Sequence, residues 1–419
     1  MDLCAALLIL GALPGQEEIA SQDAKKRAAA PKGPLSGLPS PMGAHVAKIR
    51  ALGDDAWLDL GSPAPDPKWG KGRGRSYNSR MAFAPDLRGA FHTGEGPHGF
   101  VKPDGHYLDD VWFYDLNAHR WICVYPGTHT DTADLVVDKD GFERTRSGDL
   151  VPVAPLVHGY EMYTYDPDRK RFMLIPGPGD YQKGALTGVW KLRNARKDIH
   201  YSNEPMPWLY DVKTGKWERH PLQEPGPSIE ICTHFTYIPS KKQVLYCLHG
   251  REVWFYDPAT NRWSHAGSGG AQPHTYNTVS CHDTKRDRVY FGSPTRADNV
   301  PAIYDIKAQV WIDPKPKGLP AAVVQNSHAY VTEGSHLTYD TVNDVVILVA
   351  HSYGSGKEGM YVYDPTANTW TTEPKPIKGW GNSPAAFYDP LFNVHVYHVA
   401  GDGADDGVIR VYRYKNAKK

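Results

Sequence analysis

The sequence predicts an all-β chain folded as a six-bladed β-propeller, with four-stranded antiparallel blades and a ring closed by an N-terminal strand that completes the C-terminal blade. Three observations predict it. The composition is turn-rich and aromatic, one strand–turn–strand unit recurs along the chain, and the last unit lacks a strand that the N-terminal region can supply. Among 419 residues there are 40 Gly, 35 Pro, 25 Tyr and 12 Trp. Gly and Pro are the worst interior residues for a helix, so a coiled coil or long-helix protein is excluded. The 47 basic and 47 acidic side chains cancel. Neutral charge gives no electrostatic ground for a nucleic-acid or anionic-membrane partner.

The repeat sets the architecture. Five segments carry an apolar or aromatic run, then Tyr-Asp, then Trp six residues after the Asp: Tyr114-Asp115 with Trp121, Tyr210-Asp211 with Trp217, Tyr256-Asp257 with Trp263, Tyr304-Asp305 with Trp311, and Tyr363-Asp364 with Trp370. Between them lie turn sequences such as Asp257-Pro258-Ala259-Thr260-Asn261. There Asp can accept turn amides, Pro presets φ and Asn tolerates a left-handed conformation. Each unit also has an upstream hairpin, such as Phe235–Ile238 with Val244–Leu248, so each holds four short strands. Asp211, Asp257 and Asp305 stand 46 and 48 residues apart. Four strands in such a period match a propeller blade rather than a sandwich. A sixth unit starts at Ala386 and ends with the strand Val408–Tyr414, lacking a fourth strand. Ala56-Trp57-Leu58-Asp59-Leu60 is a lone outer strand, and setting it beside the C-terminal strand removes both open edges.

The ends divide off. The apolar run Leu3 to Leu13 is too short to span a bilayer and reads as the core of a secretory signal over residues 1–20, despite Asp2 where a positive charge is usual. Residues 21–54, rich in Ala, Pro and Lys, read as a linker with a short helical piece around His45–Leu52. The propeller then covers 55–414, and 415–419 form a basic tail. The expected location is secreted, periplasmic or cell envelope, and the expected state is a monomer without a transmembrane segment.

The repeats resemble kelch repeats, as in the central domain of galactose-oxidase-like propellers. The resemblance rests on the Tyr-Asp…Trp spacing and covers 55–414. It departs where kelch units usually carry paired glycines, because the corresponding places read His92-Thr93-Gly94, His249-Gly250 and His351-Ser352. The resemblance implies a scaffold shared with copper radical sugar oxidases and sugar-acid isomerases, but not their ligands.

The repeated Tyr, Asp and Trp are assigned to structure, and function to what does not repeat. Asp115 to Asp211 spans 96 residues, about twice the period, with insertions over 126–155 and 178–205. The first holds a hairpin, Leu135–Glu143, turning at Asp140-Gly141. Both insertions should decorate one face around the channel. On that face His92, His249 and His351 fall near second-strand ends, and His158, Glu230, Asn277 and Asn382 at the approach to first strands. These seven are the candidate ligand-binding residues, with His92, His249 and His351 the candidate ligands of a divalent metal. No catalytic residue is assigned. Polar side chains also suit any channel mouth that meets water, so the sequence leaves metal occupancy open. Cys123, Cys232, Cys247 and Cys281 read as free buried thiols, with Cys247 pairing nearer His234 than Cys232. The preferred reading is a non-catalytic binding propeller for a glycan, small molecule or protein. The alternative is a carbohydrate-active enzyme, oxidase- or isomerase-like, on the same scaffold.

Overall fold

The computed structural model describes residues 33–75, 78–94, 110–127, 135–139, 142–150, 152, 159, 161–175, 205–229, 233–248, 252–269, 279–292, 301–318, 335–350, 359–371, 375, 385–400 and 407–416. They form six four-stranded antiparallel sheets set around an axis. After helix α1 (His45–Arg50) and strand β1 (Ala56–Gly61), blade 1 comprises β2 (Ala82–Ala84), β3 (Gly89–His92), β4 (Val111–Asp115) and β5 (Arg120–Tyr125). A small hairpin, β6 (Leu135–Val137) with β7 (Glu143–Thr145), follows. Blade 2 is β8 (Tyr163–Asp166), β9 (Arg171–Leu174), β10 (Trp208–Asp211) and β11 (Lys216–Glu218). Blade 3 is β12 (His234–Ile238), β13 (Gln243–Leu248), β14 (Glu252–Asp257) and β15 (Arg262–Ser268). Blade 4 is β16 (Ser280–Asp283), β17 (Arg288–Phe291), β18 (Ala302–Asp305) and β19 (Val310–Ile312). Blade 5 is β20 (His336–Asp340), β21 (Val345–Ala350), β22 (Gly359–Asp364) and β23 (Thr369–Trp370). Blade 6 is β24 (Ala385–Asp389), β25 (Val394–Val399) and β26 (Val408–Arg413), with β1 as its outer strand. No helix among the described residues is long and apolar enough to cross a membrane.

The expected closure is present. β1 pairs antiparallel with β26, and Trp57 lies opposite Tyr412. That pair is the sixth copy of one cross-strand contact: Trp121 faces Tyr114, Trp217 faces Tyr210, Trp263 faces Tyr256, Trp311 faces Tyr304 and Trp370 faces Tyr363. The six pairs keep ring centroids between 4.9 and 5.5 Å apart. Each such pair adds about 0.5–1.5 kcal/mol beyond the area it buries. In the five pairs whose strands are joined by a turn, the turn runs through a left-handed residue, His119, Gly215, Asn261, Gln309 or Asn368. The preceding Asp accepts turn amides, as Asp257 Oδ1 does from Ala259 N–H at 2.8 Å and Asp364 Oδ1 from Thr366 N–H at 2.8 Å.

A second repeat, less visible in the sequence, governs the inner hairpins. Phe83, Tyr165, Tyr237, His282, Tyr339 and Tyr388 each pair with the residue seven positions on. Five positions on from each sits a left-handed residue: Arg88, Lys170, Lys242, Asp287, Asp344 or Asn393, with φ from 51° to 58°. None is glycine, so each turn carries some strain, which the paired strands overcome. Identical register puts all six turns on one face, here called the first-turn face. Strands alternate in direction, so the outer-hairpin turns lie there too. The opposite face carries the second-to-third-strand and blade-to-blade connections.

Residues 33–54, expected to act as a linker, pack against the ring in this structure. Leu35 joins the core between blades 1, 2 and 3, while Val46 and Ile49 of α1 enter the core between blades 1 and 6. Apolar positions three apart on α1 form the stripe that does this. The α1 C-terminus leaves carbonyls without helical partners, and Arg413 on β26 fills them. Its guanidinium donates to Ile49 O at 3.0 Å, Arg50 O at 3.3 Å and Leu52 O, and to Phe392 O at 2.9 Å. In the insertion, the predicted hairpin forms as β6–β7. Its Phe142 packs 6.4 Å from Trp208, and Arg219 lies over both rings. The insertion thus folds back onto the third strand of blade 2.

The clamp predicts a contrast on one strand. Arg413→Ala leaves several buried carbonyls unpaired and should destabilise by more than about 3 kcal/mol in urea unfolding. Arg410→Ala removes an ion pair with half-exposed Asp59, 3.2 Å away, and should cost less, about 1 kcal/mol.

Candidate functional site

The inner strands follow one another around the axis in the order β2, β8, β12, β16, β20, β24, and β24 returns to β2. They enclose an axial cavity of about 350 Å³. Its rim on the first-turn face is Pro85, Pro167, Pro239, Thr284, Thr341 and Pro390. Just inside stand the six residues that share one hairpin register: Phe83, Tyr165, Tyr237, His282, Tyr339 and Tyr388. Their polar tips are held by neighbours. Tyr165 donates to Asp86 at 3.1 Å, Tyr237 to Asp168 at 2.6 Å, Tyr339 to Asp344 at 2.8 Å and Tyr388 to Asp340 at 2.9 Å. Three of these bonds cross from one blade to the next, so the ring of hydroxyls also sews the inner strands together. Burial and the facing carboxylates push these phenols well up, so each remains a protonated donor. His282 Nε2 lies 3.0 Å from Asp287 Oδ1, which in turn is bound on Oδ2 by the Ser240 hydroxyl at 2.8 Å.

Deeper along the axis a charged network crosses the channel. Arg80, just before β2, donates to Thr236 Oγ1 at 2.8 Å and to the carbonyls of Glu161, Tyr163 and Phe235 at 2.7–2.9 Å. Its guanidinium is 3.6 Å from the Glu161 carboxylate. Glu161 also receives His234 Nδ1–H at 2.9 Å, Ser280 N–H at 2.9 Å and the Ser280 hydroxyl. Burial alone would raise the Glu161 carboxyl. Arg80, His234 and the Ser280 amide outweigh it and hold the group below the usual carboxylate range. His336 Nδ1–H donates to Ser79 O, and Met81 N–H to Ala386 O at 2.8 Å. All six blades are therefore tied at the axis.

These network residues are the ones the sequence reading missed. Arg80, His234 and His336 each precede by three positions the aligned aromatic of their hairpin, and Glu161 precedes Tyr165 by four. Aligning the inner hairpins, rather than the Tyr-Asp…Trp units, would have found them.

Of the seven residues singled out from the sequence, His92 is described. His158, Glu230, His249, Asn277, His351 and Asn382 lie outside the described residues, as do residues 178–204 of the second insertion and Cys232. His92 ends β3 fully buried, at the seam of blades 1 and 6. Its Nε2–H donates to Arg73 O at 2.9 Å, and Asn78 Nδ2 approaches Nδ1 at 3.5 Å. His398 of β25 stands edge-on, 4.9 Å between ring centroids, with both nitrogens unpartnered. Fully buried Arg75 pairs with Asp110 at 2.8 Å beside them. Burial first, then Arg75, pulls His398 down to about 3. Burial, His398 and Arg75 likewise hold His92 well below its ordinary value. No group of three His, Cys, Asp or Glu positioned to hold a metal occurs among the described residues. Cys123, Cys247 and Cys281 are free and buried. Cys247 lies opposite His234, in the expected register. Cys281 lines the cavity, but burial pushes its thiol well up, which leaves it protonated and unreactive.

No protein-family model matches the chain, and no curated protein matches it. Among solved structures it is similar to one described as oligogalacturonate lyase in complex with manganese. That likeness has 13% identity and a TM-score of 0.42, and covers 86% of this chain and 98% of the other.

Two predictions follow from the charges. Glu161→Ala leaves Arg80 and His234 buried without their acceptor and should cost about 3–5 kcal/mol of stability in denaturant melts. His92 and His398 are neutral when folded but titrate near 6.5 when unfolded. Their stabilising contribution is therefore complete above about pH 6.5, and for His398 it is lost progressively as pH falls toward 3. At pH 4.5, protonation of unfolded His398 alone should remove roughly 2–3 kcal/mol. His398→Leu should flatten the acid limb of the stability–pH curve, whatever its effect at neutral pH.

Proposed function

We propose that the chain is an exported, non-catalytic kelch-type interaction propeller that holds a segment of a protein partner at the first-turn mouth of its axial cavity. The observation that carries this is the state of the cavity's polar groups. The four Tyr hydroxyls and His282 are bound to neighbours. Thr164 accepts the Tyr237 amide, Thr236 accepts Arg80, and Thr338 bonds His395. What remains for a guest is largely ring faces, proline edges and methyl groups.

Such a wall suits an apolar side chain on a peptide. A sugar, by contrast, is recognised through several free acceptors and donors, and a site that leaves hydroxyls unpaired rejects them. The same engagement argues against acid–base chemistry by Glu161, whose oxygens are occupied and whose proton is lost well below neutrality. Export rests on the apolar run Leu3 to Leu13.

Phage-displayed peptides selected on the purified protein, alongside a glycan array, test this directly. Selected peptides should lose binding to Thr284→Trp, which places an indole at the exposed rim, while the melting temperature stays within about 2 °C of wild type. A glycan that binds wild type and is expelled by the same substitution would overturn the reading.

A further inference from the structure

Two properties of the aromatic ring at the first-turn mouth narrow its guest. The first is that the hydrogen-bonding capacity of the ring is already used. The hydroxyls of Tyr165, Tyr237 and Tyr388 reach to carboxylates of the neighbouring blade, Asp86, Asp168 and Asp340. Those bonds lay the three rings along the wall, so the recess meets ring surface rather than hydroxyl. Phe83 stacks on Phe387 with ring centroids 5.2 Å apart, which continues the aromatic wall across blades 1 and 6.

The second property is charge. Five of the six ring positions touch a carboxylate at their polar tip: the four tyrosines as above, with Asp344 serving Tyr339, and His282 with Asp287. Among the described residues Asp168, Asp287 and Asp340 form no ion pair with Arg or Lys. Asp287 is held by His282 and Ser240, and Asp340 lies 3.5 Å from His395. These carboxylates stand behind the rings and do not line the cavity. They act through the rings, because a phenol that donates to a carboxylate gains negative character and its ring face becomes more negative. Among the described residues the cavity lining contains no Lys, Asp or Glu. Its Arg80 lies deeper, with the guanidinium turned to Glu161 and three carbonyls.

Most guests meet only one of these conditions. A primary ammonium or a sugar brings N–H or O–H donors that need free acceptors, and burying them unpaired is costly. A purely apolar side chain needs no acceptor but gains nothing from the negative ring faces. A quaternary ammonium meets both conditions, having no N–H, a surface of methyl groups and a positive charge spread over them. We infer that the group entering the mouth is a trimethylammonium, carried on a trimethylated lysine of the partner segment. The assignment rests on the axial cavity being a protein-binding mouth. The four methylenes of the lysine stem pass the proline rim while the charged end reaches the rings behind it.

Saturation-transfer NMR on the full-length protein provides the test, with four probes. Three are glycine-flanked peptides centred on trimethyl-lysine, on lysine, and on the neutral isostere in which a tert-butyl group replaces the trimethylammonium. The fourth is tetramethylammonium chloride. The trimethyl-lysine peptide should bind about tenfold tighter than the lysine and isostere peptides, and Thr284→Trp should abolish its binding. Phe83→Leu keeps apolar bulk but removes a ring, and Asp168→Asn keeps an acceptor for Tyr237 but removes a charge. Each should cut the preference for trimethyl-lysine over the isostere about threefold, in protein whose melting curve shows it folded. If the isostere or the lysine peptide binds as tightly and is lost in Thr284→Trp, the quaternary ammonium is wrong while the protein-binding mouth stands. If tetramethylammonium binds as tightly as the trimethyl-lysine peptide, the ligand is a free cation, and the protein partner falls together with the lysine source. If no probe responds to Thr284→Trp, both readings fall.

Discussion

The pairing of β1 with β26 is the constraint on which everything else in this molecule depends. It is the contact of greatest sequence separation among the paired strands, joining Ala56 to Arg413. The entropy of closing so long a loop grows only logarithmically with its length, so one strand pairing is enough to close the ring. Without it, β26 would expose an unpaired edge in a sheet built of Val, Ile and Tyr, a template for edge-to-edge association. The seam of blades 1 and 6 would also lose its outer wall. α1 reinforces the closure, because Arg413 draws the helix C-terminus onto the strand that receives β1. Closure fixes the number of blades at six, and six blades fix the width of the axis that Arg80 crosses.

The axial network shows how a repeated scaffold becomes individual. In the outer hairpins the same Tyr faces the same Trp in every blade, because that contact holds a blade together and every blade needs it. At the axis each blade meets all the others, and repetition would fail there. Six arginines or six glutamates around one channel would repel, and a buried charge without a partner is costly. The chain instead places one Arg, one Glu and two His at similar positions on different blades, each completing another. Three of the blades fill the register of Arg80 with Met162, Val279 and Ala385, which keeps the polar groups from crowding. Breaking the symmetry is therefore a condition of stability at the centre before it is a condition of binding.

This explains what was legible in the sequence. Fold class, blade count, closure by Trp57 and the turn chemistry of Asp257 and Asp364 could be read because they recur, and recurrence separates signal from chance. The hairpin of the first insertion could be read because a strand pattern around an Asp-Gly turn is local. The axial site could not be read that way. Arg80, Glu161 and His234 are single occurrences whose meaning depends on neighbours 73 to 156 positions away. His92 drew notice as a polar residue at a strand end, yet nothing local reveals that Arg73 and His398 would enclose it. The packing of residues 33–54 was hidden for a related reason. Their Pro-rich composition resembles a tether, and only the ring supplies the grooves that Leu35, Val46 and Ile49 fill.

The two faces of the ring then differ in what they can vary. Inner and outer turns of the first-turn face are held to four residues, with Asp caps and left-handed positions prescribed, so their backbone is fixed and their exposed side chains are free. Val342 and Leu391 occupy the position that Asp86, Asp168, Ser240 and Lys285 hold in the other blades, without disturbing a strand. A surface of this kind can change its chemistry blade by blade at little cost in stability. The composition excluded a partner drawn to the chain as a whole. It does not exclude one that meets a single face, because the same turns that make the propeller rigid hold their exposed side chains at fixed positions there.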